Sequence, residues 1–151
     1  MVVNEEQDDP LLLDRQVCFP LYAATNLLNR LYLPVLRELG LTYPQYLVML
    51  VLWEQQPQTV GELGSRLYLD SGTLTPLLKR MEAAGFVSRT RDPQDERRVI
   101  IGLTDSGKKL RKRAVHVPET ISQGRSAEGV EELRDSVRNL VALLAQKGGS
   151  S

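Results

Sequence analysis

A single thiol, Cys18, is carried by this chain of 151 residues. Pro20 follows two residues later, and proline is tolerated in the first turn of a helix, so the spacing predicts a helix beginning between Val17 and Phe19 with the thiol near its N-terminus. The partial positive charge there favours an anion. The thiolate is the nucleophilic form of cysteine, whose free pKa is about 8.5. Cys18 thus reads in two ways, as a small buried apolar residue or as a nucleophile that an oxidant converts to a sulfenic acid. One cysteine makes no intramolecular disulfide and no cysteine-rich metal site, and the lone histidine, His116, completes no zinc set. No metal and no cofactor is expected.

A second chemical surface lies between Asp70 and Gly85. Leu74, Leu77, Leu78 and Met81 fall at i, i+3, i+4 and i+7, one stripe of a helix, with Asp70 or Ser71 as its cap and Gly85 as its left-handed stop. The remaining side carries Ser71, Thr73, Thr75, Lys79 and Arg80. Hydroxyls, and the apolar edges of Thr and Pro76, suit base edges in a major groove, while Lys79, Arg80 and the later Arg89 suit phosphates.

These side chains need elements to hold them. The chain is long enough for one domain with a substantial core, and its 42% hydrophobic and 25% charged residues are those of an ordinary globular protein. No apolar run is long enough to span a membrane, and the acidic start is unlike a signal peptide, so a cytoplasmic location is expected. Net charge is zero, but it is unevenly placed. Up to Leu78 there are four basic and nine acidic residues; from Lys79 to Arg113 there are eleven basic and five acidic. Such a local basic excess suits a surface that grips DNA.

Residues 1–10 read as a disordered tail. The first helix is expected to be kinked or ended by Pro34 and closed by Gly40. Thr42-Tyr43-Pro44-Gln45 is a capping box opening a second helix, with Leu47, Leu50 and Val51 as its stripe and Pro57 as its stop. Thr59-Val60-Gly61-Glu62 opens a third helix to about Leu67. With the helix after Asp70 this makes a helix-turn-helix. Residues 86–91 and 98–103 read as two strands, Val99, Ile101 and Leu103 alternating, joined by a polar tip from Asp92 to Arg97. Thr104 caps a long basic helix that Pro118 kinks or closes, and residues 123–129 read as a loop. The last helix bears Val130, Leu133, Val137, Leu140, Val141 and Leu144 along one side. That stripe either covers its own domain or packs against a second copy, and a symmetric dimer would present two reading helices to successive grooves of a pseudo-palindromic, A·T-rich site.

The order of elements, the Leu103-Thr104-x-x-Gly107 junction and the wing Asp92-x-x-Asp95-x-Arg97 resemble the MarR family of winged-helix transcriptional regulators. Asp14-Arg15-Gln16-Val17-Cys18-Phe19, Leu41-Thr42-Tyr43-Pro44-Gln45-Tyr46 and residues 68–82, Tyr-Leu-Asp-Ser-Gly-Thr-Leu-Thr-Pro-Leu-Leu-Lys-Arg-Met-Glu, are similar to its organic-hydroperoxide-resistance branch. The resemblance implies a mainly α (α+β) fold, a winged helix-turn-helix with N- and C-terminal dimerisation helices. Residues 11–151 would be one MarR-type domain, 59–104 its winged core and 11–40 and 105–147 its dimerisation helices. It implies Cys18 as the peroxide-sensing thiol, Tyr32 and Tyr43 as phenols that hydrogen-bond it across a homodimer, and Phe19 and Tyr22 as aromatic neighbours in the peroxide pocket. It also implies Arg97 as a wing-tip residue entering the minor groove, oriented by Asp95; the plainer reading is an exposed Arg97–Asp95 pair.

The chain departs from the two-cysteine branch, since residues 123–127, Ser126 among them, hold no cysteine. An oxidised Cys18 would then turn to a low-molecular-weight thiol, a backbone nitrogen or further oxidant. Phe19, Leu21, Leu27 and Leu28 are expected to surround the thiol with apolar surface suited to organic hydroperoxides. Three readings follow: a repressor released from double-stranded DNA by oxidation of Cys18, a regulator released by a small phenolic ligand without covalent chemistry, and a thiol peroxidase. The first is preferred, with no enzymatic role.

Overall fold

The computed structural model describes residues 9–123 and 128–147. The expected tail up to residue 8, Ser126 within 124–127, and residues 148–151 lie outside the described residues. The chain divides into two compact units at the Val117–Pro118 junction.

In the first unit a short 3-10 turn, Leu13–Arg15, precedes α1, Cys18–Leu39. Cys18 is thus the first helical residue, as Pro20 predicts. Pro34 does not end the helix: α1 continues through it, and burial of Leu36 and Leu39 anchors the last turn. Gly40 closes it at φ 72°, a conformation that costs glycine nothing. Of the 22 residues of α1, only Leu36 and Leu39 are buried.

Helix α2, Tyr43–Glu54, starts on the expected capping box: Thr42 Oγ1 accepts from the Gln45 amide, and Gln45 Oε1 accepts from the Thr42 amide. Its buried face differs from the predicted stripe. Val51 is buried as expected, but Leu50 is exposed and Leu47 half-buried, while Tyr46, Val48, Met49 and Leu52 fill the core. The helix is apolar nearly all round, so periodicity has no polar side from which to choose a face. Strand β1, Gln58–Thr59, was not anticipated, because two residues give no alternation. Then come α3, Val60–Leu67, on its Thr59–Glu62 capping box, and α4, Ser71–Ala83, capped by Asp70, whose Oδ1 accepts from the Thr73 amide at 2.7 Å. Leu74, Leu77, Leu78 and Met81 are all buried, as their spacing requires.

Strands β2, Val87–Asp92, and β3, Asp95–Leu103, form the wing, and β1 pairs with the far side of β3, giving the antiparallel order β1-β3-β2. The strands run further than predicted and the tip shrinks to Pro93-Gln94. The added residues are charged and project beyond the core, where alternation carries no signal. Asp95 and Arg97 therefore stand on strand backbone. The basic helix is also shorter than expected: α5, Asp105–Ala114, ends before Pro118, which lies in the first turn of the separate α6, Val117–Ser122.

Three polar side chains, through four hydrogen bonds, lock the base of the wing. Trp53 Nε1 donates to the Gly107 carbonyl at 2.9 Å, Gln56 Oε1 accepts from the Leu103 amide at 2.7 Å, and the Thr104 hydroxyl donates to the Gly85 carbonyl at 2.6 Å while accepting from the Gly107 amide at 3.1 Å. A Cβ on Gly107 would strike the Phe86 carbonyl. Gly107→Ala is expected to cost about 1–3 kcal/mol as overpacking against backbone, seen as a drop of several degrees in thermal midpoint. An unchanged midpoint would mean that the junction yields.

In the second unit the last helix, α7, spans Val130–Lys147 as expected. Val130, Leu133 and Leu144 are exposed by half or more of their surface.

Candidate nucleic-acid interface and thiol site

The side of α4 opposite its buried stripe presents exposed Ser71, Thr73, Pro76, Lys79 and Arg80, with Thr75 half-buried. The unmet amides and positive end of the α4 dipole lie at the same end as Ser71 and Thr73, a setting that attracts phosphate or base acceptors. The structure thus brings these six residues onto one open face.

Arg89 is placed differently from the others. Its side chain is largely buried on β2, its Nε has no hydrogen-bond partner among the described residues, and a guanidinium nitrogen lies 3.7 Å from Glu82 Oε1. Glu82 Oε2 also accepts from the Arg89 amide at 3.1 Å. One carboxylate on α4 therefore holds both backbone and side chain of the wing's first strand. Sequence reading missed Glu82, since a lone exposed carboxylate seven residues from an arginine carries no periodic signal.

At the wing, Arg97 extends into solvent with its side chain 90% exposed. Asp95 receives it at both oxygens, Arg97 Nε at 3.1 Å and a terminal nitrogen at 3.3 Å, and also accepts from the Arg97 amide. The side-chain and backbone hydrogen bonds from Arg97 hold the Asp95 carboxyl below its ordinary pKa. The pair read from sequence is present, and it fixes the direction of the guanidinium.

The thiol end is built on α1. Cys18 is exposed, with Phe19 and Tyr22 beside it and exposed as well. Tyr32 and Tyr43 pack together, ring centroids 4.9 Å apart, and Tyr46 completes a triangle at 6.1 and 6.4 Å. Tyr46 escaped the sequence reading although it follows Tyr43 by one turn. Burial comes first in raising all three phenols above the usual tyrosine value, so they remain O–H donors at neutral pH.

Cys18 and the tyrosine cluster are not adjacent within one chain. Tyr32 lies fourteen residues further along the same helix, about 21 Å at 1.5 Å per residue. By the same measure Leu27 and Leu28 lie about 14 Å away, so of the apolar residues expected around the thiol only Phe19 and Leu21 are near it in a single chain.

Comparison with known proteins agrees with this architecture. The family described as transcriptional regulator SarA/Rot matches residues 30–114. The organic hydroperoxide resistance transcriptional regulator of Bacillus subtilis is 45% identical over 145 residues, spanning 95% of this chain and 99% of that protein. Reduced AbfR bound to DNA superposes with a TM-score of 0.75 at 38% identity, covering 93% of this chain and 98% of that one. A MarR-family regulator from Rhodococcus has the same fold, with a TM-score of 0.74 at 23% identity over 86% of this chain and 95% of its own. This chain belongs to the MarR family of winged-helix transcriptional regulators. Within this MarR-family protein, the resemblance carried by the Cys18-Phe19 and Tyr-Pro-Gln-Tyr segments agrees with the full-length similarity to a hydroperoxide resistance regulator. No helix among the described residues is long and apolar enough to cross a membrane.

Proposed function

We propose that this MarR-family regulator is a homodimeric, cytoplasmic repressor, not an enzyme, which leaves its operator when organic hydroperoxide oxidises Cys18. The observation that carries the reading is the separation of Cys18 from Tyr32 along a helix whose apolar side is bare. A thiol and phenols that cannot meet within one chain meet when two α1 helices cross in a symmetric pair, each cysteine against the other subunit's tyrosines. The same association would bury Leu27, Leu28 and the α7 stripe, and set two α4 helices one turn of DNA apart.

The chemistry balances simply. The Cys18 thiolate attacks a peroxide oxygen, the O–O bond breaks, and with one proton the products are a sulfenic acid and an alcohol. A small thiol then condenses with the sulfenic acid, releasing water and leaving a mixed disulfide. Either product enlarges the side chain and displaces the phenol hydrogen bonds. Apolar Phe19 favours organic peroxides over hydrogen peroxide; equal rates with cumene hydroperoxide and hydrogen peroxide would remove that preference.

The direct test is a gel-shift titration on a duplex carrying an A·T-rich inverted repeat, before and after cumene hydroperoxide, with intact-mass measurement. Retention when reduced, then release with a gain of oxygen on Cys18, is expected. Release without a change in mass would defeat the reading.

Arg97 suits a narrow minor groove, where the potential is most negative. Arg97→Ala is expected to weaken operator binding by about 1–3 kcal/mol and to lower the salt slope by about one, against little change for Lys112→Ala; equal losses from both would argue against groove insertion. Because the folded Asp95 pKa is lowered, its hold on Arg97 is complete above the ordinary carboxylate range and is lost only as pH falls through the lowered value. The Arg97 contribution should therefore be flat from about pH 5 to 8.

A further inference from the structure

Tyr68 is the only residue other than glycine with a positive φ among those described, at φ 56° and ψ 40°. The other positions of this kind are Gly40, Gly85 and Gly129. A side chain in the left-handed region crowds its own backbone, so glycine or asparagine is the ordinary occupant and a bulky residue there is an outlier. The turn imposes this conformation: the Tyr68 and Leu69 amides both bond the Gly64 carbonyl, and a Cβ on Gly64 would come within 2.6 Å of the Leu69 carbonyl oxygen. Nothing nearby compensates for the aromatic ring. Tyr68 is 66% exposed, and its side chain has no hydrogen bond or ring contact among the described residues.

Its position gives the ring a use. Tyr68 closes α3 and stands three residues before Ser71, where α4 begins. Three residues span at most about 10 Å. The N-terminal end of a reading helix is the part that enters the major groove, which is about 12 Å wide and bordered by phosphates. A tyrosine tethered this close to that end, with its phenol free, reaches the strand that edges the groove. Residues strained at such sites mark function when the surrounding turn over-determines them.

We infer that Tyr68 contacts DNA, its phenol O–H donating to a phosphate oxygen on the strand bordering the groove entered by α4. This rests on the DNA reading proposed above. Tyr68 then acts as a neutral clamp that fixes the register of α4 before Ser71 and Thr73 meet base edges.

The test compares wild type with Tyr68→Asn and Tyr68→Phe, using full-length reduced protein and a duplex that the wild type selects from a randomised pool. Tyr68→Asn relieves the backbone, so its thermal midpoint should equal or exceed that of wild type while its affinity falls about tenfold, the scale of a lost hydrogen bond to a charged group. Tyr68→Phe should keep the wild-type midpoint, lose most of the same affinity and leave the salt slope unchanged, because a neutral phenol displaces no counterion. Wild-type affinity in both variants would overturn the inference. So would an affinity loss that tracks a lowered midpoint, which would make Tyr68 a folding residue. Failure of the wild type to select any duplex would instead overturn the DNA reading, and this inference with it.

Discussion

Cys18→Ser is expected to bind the operator as tightly as the wild type and to remain bound at any hydroperoxide concentration that releases the wild type. Serine keeps the size of the side chain and its place in the first turn of α1 but forms no sulfenic acid. Moving the wild type from 99:1 bound to 1:99 requires about 5.5 kcal/mol of difference between the two states. In the proposed switch that difference comes from the adduct and from the phenol contacts it would displace, and the adduct requires sulfur. The measurement is a titration with cumene hydroperoxide followed by anisotropy on labelled operator. The same variant separates the competing mechanisms. A regulator released by a phenolic ligand would respond in Cys18→Ser as in wild type, and a thiol peroxidase would show sustained peroxide consumption in the wild type with a thiol reductant.

Leu133→Asp combined with Leu144→Asp should yield a monomer that folds and no longer holds its operator. Both leucines expose three-fifths or more of their surface on α7. Burying such a side chain against a partner is worth about 1.5–3 kcal/mol, and a carboxylate in its place reverses the sign. Two linked half-site contacts gain about 10²–10⁴ over one through effective concentration, so operator affinity should fall by roughly that factor. Sedimentation equilibrium reads the assembly state and circular dichroism the retained helix. A double variant that stays dimeric on sedimentation would place the subunit contact elsewhere.

Much of the fold was legible because local rules and tertiary packing agree. Pro20, the two Thr-x-x-Gln/Glu boxes, Asp70 and Thr104 each start a helix where expected, since a cap is a short-range hydrogen bond that sequence spells out. The stripe of α4 was legible because it has a polar side to contrast with. The buried face of α2 was not, for want of that contrast, and the wing tip was misjudged because it closes on the single pairing of Asp92 with Asp95, across a register shift after Arg91 that no alternation announces. At the site, residue types pointed to Cys18, Arg97 and the α4 face, all of which the fold leaves open to solvent. The role of Glu82 and the strain at Tyr68 arise from backbone placement that no spacing rule contains. The distance between Cys18 and Tyr32 was implicit in the helix rise, yet it gained meaning only once α1 proved unbroken by Pro34.

The Thr104 hydroxyl bridges the end of the reading helix, at Gly85, to the start of α5, at Gly107, and so stiffens that junction of the reading lobe. A stiff junction passes on rotation more readily than deformation. Under the switch proposed for Cys18, oxidation would alter the distance and tilt between two such lobes, while the letters each one recognises stay the same. Sensitivity and sequence preference become separate inheritances. Changes around the thiol can retune the oxidant and its threshold while the cell keeps the same operators.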